Sequence, residues 1–506
     1  MSIIHLPGAP ETVVDTVMRI VDPRDGTPVG DVDPATPEDV DAALDRARDT
    51  AAWWARVAPA ERGSLLRHAA AALADHAATL ARLNARETGR PEDEALAGVT
   101  AGVETLLQYA ELGPLHRGAS LRGAVEASDY TVAEPRGVVV ALTPWNDPVA
   151  VAAGLVGAAV VTGNVVVHKP SERCPHTGAF FGDVLARALP DGVVQTLQGG
   201  SGVGSALVAH PAADVVAHVG STATGRSIAR SAAERGAHTV LENGGDDPLL
   251  VDAGVDPRWA AQQAATGAFA NVGQICTSVE RVYVHRGVAE PFVAALVEEA
   301  RRRAADLGPL VDERLRSAVH DQVQQAVAAG ARVLTGGEVP VGPGTFYPPT
   351  VLVGCTPDMA VVAEETFGPV APVMVVDSFE EGLSLASSGR YGLAATVLTP
   401  SLAHAHQAVA ALPVGTVKVN AVFGGAPGGS AEPRGDSGHG LGYGPGLLDE
   451  MTAVKVVHLE AAPPVADAAG EAAGDAPGSA ASRGGAGRPA GADRPAGESA
   501  GAGGAS

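Results

Sequence analysis

The chain has 506 residues, a hydrophobic fraction of 46% and a formal net charge of -23 at pH 7. This length predicts two or three domains rather than a single core. The acidic excess argues against partners such as nucleic acid or an anionic membrane surface, because both attract clustered lysine and arginine. No apolar run reaches membrane-spanning length, and the N-terminus shows no signal-peptide pattern.

Cysteine is rare in this chain. It occurs at Cys174, Cys276 and Cys355, an odd number of widely separated positions. This spacing predicts neither a disulfide framework nor a metal site. It is typical of the reducing cytosol, so we expect a cytoplasmic protein without a bound metal.

The first part of the chain is predicted to be helical. Residues 1–35 have the pattern of an irregular arm with short extended pieces. A helix is expected to begin at Thr36, whose hydroxyl can cap it, with Pro37 at its first position. The spacing of leucines predicts a second helix over 60–88 and a third over 92–111.

Strands and helices alternate from residue 137 onwards. The predicted strands cover 138–142, 164–168, 193–197, 214–219 and 238–241, and the predicted helices begin at 148 and cover 176–189 and 224–235. This alternation predicts a parallel sheet with helices on both faces. Ligands bind such sheets at the carboxyl ends of the strands, where the turns at Lys169 and Gly220 lie. Helices predicted at 256–270, 289–305 and 320–329, with a strand at 332–334, indicate a second α/β unit.

The segment 461–506 differs in composition from the rest of the chain. It contains no leucine, isoleucine or aromatic residue. Such a segment cannot bury enough apolar surface to offset the entropy that it would lose on ordering. We therefore expect a disordered tail.

A single cysteine, Cys276, lies in the stretch 269–281, which reads FANVGQICTSVER. By itself it is better interpreted as a small buried hydrophobe than as a nucleophile. Four other motifs reverse this balance, namely TPWN with Asn146, KPSE at 169–172, LENGG with Glu242 and EETFGPV from Glu364. In this order, the motifs resemble those of the NAD(P)-dependent aldehyde dehydrogenase superfamily, from about residue 23 to about residue 459.

The resemblance implies an aldehyde dehydrogenase-like α/β fold with two Rossmann-type α/β domains and a small β oligomerisation excursion. The NAD-binding domain would comprise 1–117 and 138–243, and the catalytic domain 244–430. Strands within 118–137 and 444–460 would bridge subunits, with 461–506 as the tail. An isolated two-stranded ribbon is marginal in water, so a homodimer or homotetramer is expected.

The same resemblance implies the chemistry. Cys276 would attack the aldehyde carbonyl, and the oxyanion would accept hydrogen bonds from the Asn146 amide and the Cys276 backbone N–H. After hydride transfer, Glu242 would activate water against the thioester. Without the other motifs, Asn146 is better interpreted as a turn residue, and Glu242 could be a solvated acid at a strand end.

The expected cofactor is NAD. The turn from Gly220 to Gly225, which includes Ser221, opens a helix whose N–H groups can hold a pyrophosphate. Lys169 resembles the lysine that contacts the adenosine ribose. A carboxylate at Glu172 would accept a ribose hydroxyl and repel a 2′-phosphate, which favours NAD over NADP. The resemblance adds further cofactor positions at Trp145, Ser171, Gly202, Gly244, Glu365 and Phe367.

The chain departs from the family pattern where aldehydes enter. Asp147 follows TPWN in place of an aromatic residue, and Gly154 occupies a second aromatic position. Leu155 and Gly442 replace a lysine and a glutamate that are associated with proton removal. The tunnel is expected to include Asp147, Val151, Ile275, Thr277 and Phe423, with an enlarged segment, 424–438, at its mouth. These changes predict a roomier and more acidic entrance for a polar, bulky or amine-bearing aldehyde.

Three functional classes remain open from the sequence. The leading interpretation is oxidation of an aldehyde to a carboxylic acid with NAD, through a thiohemiacetal and a thioester on Cys276. An enzyme that acylates coenzyme A is an alternative, but it would not need a hydrolytic base at Glu242. A non-redox thiol esterase or binding protein on the same scaffold is a third class, and the joint retention of Cys276, Glu242 and Asn146 argues against it.

Overall fold

The computed structural model describes residues 17–425 and 428–462. The start of the predicted arm and the predicted tail from residue 463 onwards lie outside the described residues. The strands are β1 (Met18–Val21), β2 (Pro28–Val32), β3 (Ser120–Leu121), β4 (Ser128–Pro135), β5 (Val138–Thr143), β6 (Val165–Pro170), β7 (Val194–Thr196), β8 (Val215–Val219), β9 (His238–Glu242), β10 (Asp247–Val251), β11 (Val279–His285), β12 (Arg332–Thr335), β13 (Thr350–Val353), β14 (Val370–Val376), β15 (Tyr391–Gly392), β16 (Ala394–Leu398), β17 (Thr416–Val419), β18 (Arg434–Gly435), β19 (Gly438–His439) and β20 (Thr452–Leu459).

Helices cover the sheets that these strands form. They are α1 (Pro37–Trp54), α2 (Pro59–Asp75), α3 (Ala77–Thr88), α4 (Glu92–Leu112), α5 (Pro148–Thr162), α6 (Pro175–Ala188), α7 (Ser201–Ala209), α8 (Thr222–Ala233), α9 (Pro257–Phe269), α10 (Arg286–Arg303), α11 (Glu313–Ala328), α12 (Ala360–Ala363), α13 (Phe379–Ala386), α14 (Leu402–Ala411) and α15 (Gly446–Glu450). Within the described residues, no helix is both long enough and apolar enough to cross a membrane.

The first sheet has the strand order β19-β9-β8-β5-β6-β7. Strands β5 to β9 run parallel, and the short β19 pairs antiparallel with β9. All six residues of the central strand β5 are buried, as expected for a parallel sheet covered on both faces. The N-terminal helices complete this core, and α1 begins with a capping box between Thr36 and Asp39, as its sequence predicted.

The second sheet has the order β12-β13-β14-β11-β10-β16-β17, and only β12 pairs antiparallel within it. Its side chains alternate between two apolar clusters, so Leu250 and Tyr283 lie in one and Leu249 and Val282 in the other. Because β9 ends at Glu242 and β10 begins at Asp247, the carboxyl edge of the first sheet meets the amino edge of the second.

A third sheet has the order β20-β4-β3. β20 pairs antiparallel with β4 over eight consecutive residues, from Thr452 opposite Pro135 to Leu459 opposite Ser128. Both segments were predicted as strands of the β excursion. The division of the chain into domains at the residues given above stays a prediction.

Sequence analysis and structure differ at several helices, two of which are described here. The helix predicted over 60–88 is divided at His76 into α2 and α3. No glycine or proline marks this break, so the leucine spacing hid it. Helix α7 was not predicted at all, because Gly202 and Gly204 within it lower its helix propensity.

Candidate active site

Cys276 lies on a strained loop at the amino edge of the second sheet. A short 3₁₀ turn, Ala270–Gly273, connects α9 to this loop, and β11 follows it. Within the turn, Asn271 and Val272 have φ angles of 45° and 60°. A left-handed backbone is unusual for a β-branched residue and persists only where the surrounding structure holds it. Strain is therefore concentrated directly before the cysteine.

The thiol of Cys276 meets a carboxylate from the first sheet. Its Sγ atom donates a hydrogen bond to Oε1 of Glu242, the last residue of β9, over 3.5 Å. Burial raises the pKa of Glu242, although the hydrogen bond from Cys276 opposes this rise. Burial, followed by the charge of Glu242, holds the pKa of Cys276 well above its ordinary value. The two groups predicted as nucleophile and base are thus in direct contact.

Asn146 holds the loop that carries Cys276. Its Nδ2 donates to the backbone oxygen of Gln274 over 3.0 Å, and the Asn271 side chain donates to the same oxygen over 3.2 Å. An amide nitrogen carries two hydrogens, so one donor position on Asn146 remains for another acceptor. Gln274 in turn accepts the backbone N–H of Val311 over 2.9 Å. Neither Asn271 nor Gln274 was identified as a site residue from the sequence.

Phe367 contacts Trp145 at the end of β5. Their rings lie edge to face with centroids 5.6 Å apart. Phe367 has a φ of 53°, and its backbone N–H is bound by Glu280, which also accepts the N–H of Thr366, each over 3.1 Å. Burial raises the pKa of Glu280 well above its ordinary value. Sequence analysis missed Glu280, although an acidic residue at a fully buried strand position was a usable signal.

Glu365 approaches the LENGG segment. Its Oε1 accepts the backbone N–H of Gly245 over 3.1 Å. A Cβ built on Gly244 would lie 2.2 Å from Glu365 Oε2, so glycine is required for this approach. Burial raises the pKa of Glu365 to about 7. Predicted cofactor positions from two distant motifs are therefore adjacent.

Lys169 ends β6 at the carboxyl edge of the first sheet. Its Nζ donates to the backbone oxygens of Pro170 and Gly199, over 2.9 and 2.6 Å, and its side chain packs on Gly204 of α7. Glu172 follows in the turn and is exposed, while Ser171 and Gly202 are partly exposed. The Lys169 ammonium, the Glu172 carboxylate and the partly exposed residues Ser171 and Gly202 therefore lie at the edge where such sheets bind ligands.

The turn after β8 opens helix α8, as predicted. The Ser221 hydroxyl caps the helix by accepting the Thr224 N–H over 3.3 Å. Gly220 donates its N–H to the backbone oxygen of Glu242 over 3.0 Å. A Cβ on Gly225 would lie 1.9 Å from Asn243 Oδ1, so this helix can pack closely only with glycine there. The helix N-terminus faces the same sheet edge as Lys169.

Asp147 does not present an unpaired charge. Its Oδ1 lies 3.2 Å from Nη1 of Arg90, which itself donates to the backbone oxygen of Asn146 over 3.3 Å. Arg90 thus offsets the acidic character that the sequence predicted for the entrance. Space is available nearby, because a Cβ on Gly154 would have no neighbour within 4 Å. The remaining predicted tunnel positions, Val151, Ile275, Thr277 and Phe423, are all partly exposed.

Residues 10–457 match the Aldehyde dehydrogenase family. The chain belongs to this family. It is 35% identical to a betaine aldehyde dehydrogenase from Cereibacter sphaeroides over 412 residues. This aligned region covers 79% of this chain and 85% of that protein. Aldehyde oxidation to a carboxylic acid, the leading interpretation of the sequence, is therefore confirmed.

Solved structures support the family membership and confirm the fold class. Lactaldehyde dehydrogenase from Escherichia coli superposes with a TM-score of 0.86 at 30% identity, over 88% of this chain and 96% of that chain. An aldehyde dehydrogenase from Bacillus cereus, solved in complex with NAD+, superposes with a TM-score of 0.85 at 34% identity, over 88% and 93% of the respective chains.

Proposed function

We propose that this chain oxidises an aldehyde with NAD through a covalent intermediate on Cys276, with Glu242 as base and Asn146 as oxyanion donor. The 3.5 Å contact between the Cys276 thiol and Glu242 carries the proposal. A thiol whose pKa is raised by burial needs a proton acceptor at hand before it can attack, and Glu242 is that acceptor.

In the first step, the Cys276 S–H bond breaks and the proton passes to the Glu242 carboxylate. The sulfur forms a bond to the aldehyde carbon, and the carbonyl oxygen becomes an oxyanion. Asn146 keeps one N–H for this oxygen while the other holds Gln274. A preorganised donor of this kind contributes about 3–4 kcal/mol to the transition state.

When bound, NAD supplies the hydride acceptor, and a thioester is left on Cys276. Hydrolysis then requires water and a base. Glu242 first releases to solvent the proton that it took from Cys276, and its carboxylate then takes a proton from water and directs the hydroxyl to the thioester carbon. The C–S bond breaks, the acid leaves, and the proton returns the sulfur to its thiol form.

Several residues of this chain are suited to hold NAD. The N-terminus of α8, which the turn at Gly220 and Ser221 opens, is suited to hold the pyrophosphate, and Lys169 lies at the same sheet edge. Trp145 and Phe367 offer aromatic surfaces beside the nicotinamide, and Glu365 a carboxylate for its ribose. The remaining members of the proposed cofactor set are Ser171, Glu172, Gly202, Gly225 and Gly244.

The proposed substrate is a polar aldehyde in a roomy entrance. The open space at Gly154 and the ion pair between Arg90 and Asp147 support this choice, since an apolar alkyl chain would gain little beside charged groups. The proposed tunnel comprises Asp147, Val151, Ile275, Thr277 and Phe423. A preference for long alkyl aldehydes that persists in Asp147→Phe would contradict the proposal.

Oligomerisation through β20 is also proposed, as a homodimer or homotetramer. β20 forms one edge of its sheet, and Val454, Val456 and Leu459 expose 73%, 67% and 53% of their surface. An exposed, apolar edge strand favours pairing with another chain. Light scattering should show a defined oligomer, and Val454→Lys with Val456→Lys should dissociate it.

A cytosolic location is proposed on the basis that the three cysteines are free.

The decisive experiment is absorbance at the NADH band with an aldehyde panel. We expect NADH to form without coenzyme A, and Cys276→Ser to abolish it. If NADH forms only when coenzyme A is added, the acylating alternative is favoured. If Cys276→Ser retains full activity, the assignment of the nucleophile is wrong.

A further inference from the structure

Lys418 is a cation on the second sheet, at whose amino edge Cys276 lies. It lies on β17, is partly buried, and its Nζ stands 5.7 Å from the centroid of the Phe423 ring. Within residues 17–425 and 428–462, its ammonium group makes no hydrogen bond and no ion pair. An ammonium with no bonded partner among the described residues leaves its charge to act on neighbouring groups.

Strand register places Lys418 on the same face of the second sheet as Asp247. Thr396 of β16 is paired with Leu249 of β10 on one side and with Lys418 of β17 on the other. Paired residues of neighbouring strands share a face, and so do residues two apart on one strand, such as Asp247 and Leu249. Both ionisable side chains therefore project from the face on which Phe423 packs.

Asp247 adjoins the loop of Cys276. A Cβ built on Gly245 would lie 2.3 Å from the Cys276 backbone oxygen and 3.2 Å from Asp247 Oδ1. The backbone of Cys276 and the carboxyl group of Asp247 therefore both lie close to Gly245. Asp247 is 3% exposed; its Oδ1 accepts the Ala394 N–H over 3.0 Å, while its Oδ2 has no hydrogen-bond partner among the described residues. This buried carboxyl lies beside the thiol loop and on the sheet face from which Lys418 projects.

We propose that Lys418 is a positioning residue for the reacting sulfur, and that its ammonium group favours the ionised form of Cys276. The proposal rests on the proposed role of Cys276 as nucleophile. In this step the S–H bond breaks, the proton passes to Glu242, and Lys418 keeps its own protons.

The charges around Cys276 are otherwise acidic. Glu242 on β9, Asp247 on β10 and Glu365 before β14 all raise the pKa of the thiol. Burial raises the pKa of Asp247 to about 8, so near neutral pH this carboxyl is largely protonated and leaves the charge of Lys418 uncancelled. Burial lowers the pKa of Lys418, but Asp247 and an ionised Cys276 oppose this change.

Alkylation of Cys276 by iodoacetamide tests the proposal in the full-length protein without aldehyde. Rates are measured from pH 6 to 10 by mass spectrometry of the peptide that contains Cys276. In Lys418→Met, we expect alkylation at pH 7.5 to fall by about 3- to 10-fold, because only the thiolate reacts. The wild-type and variant rates should approach each other towards pH 10, because Lys418, whose pKa is lowered by burial, loses its charge there.

Three variants complete the test. Lys418→Arg should keep a rate within about twofold of wild type because the charge remains. Arg67→Met, which removes an exposed charge on α2, should not change the profile. Equal profiles for wild type and Lys418→Met, or a loss that is uniform up to pH 10, would overturn the proposal. Retained NADH formation by Cys276→Ser would instead refute the proposed function, so the two failures are distinguishable.

Discussion

Cys276 Sγ and Glu242 Oε1 lie 3.5 Å apart, although 34 residues separate them in the chain. The contact joins the carboxyl end of β9 to the amino end of β11, and therefore joins the two large sheets. Burial raises the pKa values of both groups, and the hydrogen bond from Cys276 opposes the rise for Glu242. The contact explains how one carboxylate can serve both attack and hydrolysis.

Glu242→Gln is expected to slow both half-reactions. An amide can take a proton neither from the Cys276 thiol nor from water, so both the NADH burst and the steady rate should fall, and steady-state kcat should fall by about 10²- to 10⁴-fold. Stopped-flow absorbance of NADH would measure the burst and the steady rate. Unchanged steady turnover would contradict the role of Glu242 as base, and Cys276→Ser serves as the control without a burst.

Asn146→Ala is expected to lower kcat by about 10²- to 10³-fold, since one donor to the oxyanion is lost. Asn146 also holds the loop through Gln274, so the loss of that bond needs a separate control. Asn271→Ala removes the second bond to the same oxygen but no proposed oxyanion donor. Steady-state kinetics should show a much larger fall for Asn146→Ala; equal effects would indicate that Asn146 acts only through the loop.

Cofactor affinity is expected to depend on pH through Glu365. Burial raises the pKa of this carboxyl to about 7, and its ionised form is the better acceptor for ribose hydroxyls. NAD should therefore bind more tightly as pH rises from about 6 to about 8. Fluorescence titration would measure Kd across this range. A Glu365→Gln variant should bind more weakly and show a flat profile, and a wild-type slope retained in the variant would exclude Glu365.

Glu280→Gln is expected to loosen the turn that carries Phe367. A glutamine offers one oxygen, so one of the two buried N–H groups that Glu280 binds would lose its acceptor, at a cost of about 1–3 kcal/mol. Thermal unfolding should show a lower Tm and titration a higher Kd for NAD. Glu381 is a matched control, because it binds the Asp377 N–H at an exposed position. Glu381→Gln should change neither quantity appreciably.

Asp247→Asn is expected to change the dependence of stability on pH. The folded carboxyl has a pKa of about 8 against 3.8 without the fold, so the folded state binds more protons within that interval. Stability of the wild type should therefore fall as pH rises between these values, and the loss is complete above the folded pKa. The Tm of the variant minus the Tm of the wild type should therefore increase from pH 5 to pH 9. A constant difference would contradict the assignment.

Local patterns in the sequence were sufficient for much of the fold, whereas the proposed chemistry followed from the resemblance of several ordered motifs to a known family. The strands from β5 to β9 were predicted because buried parallel strands leave continuous apolar runs between helices. The motifs around Asn146, Glu242 and Cys276 were visible because each is a short segment with its own turn chemistry. The limit of this approach appears at α7, where glycines hid a helix.

Only the tertiary structure decided which charges meet. Glu280 binds a backbone group 86 residues away, Arg90 before α4 pairs with Asp147 before α5, and Lys418 shares a sheet face with Asp247 through strand register. Such contacts depend on how distant segments pack, and no local periodicity encodes them. Because burial and neighbouring charge set each pKa, the reactivity of the thiol also belongs to the folded protein and not to its sequence motif.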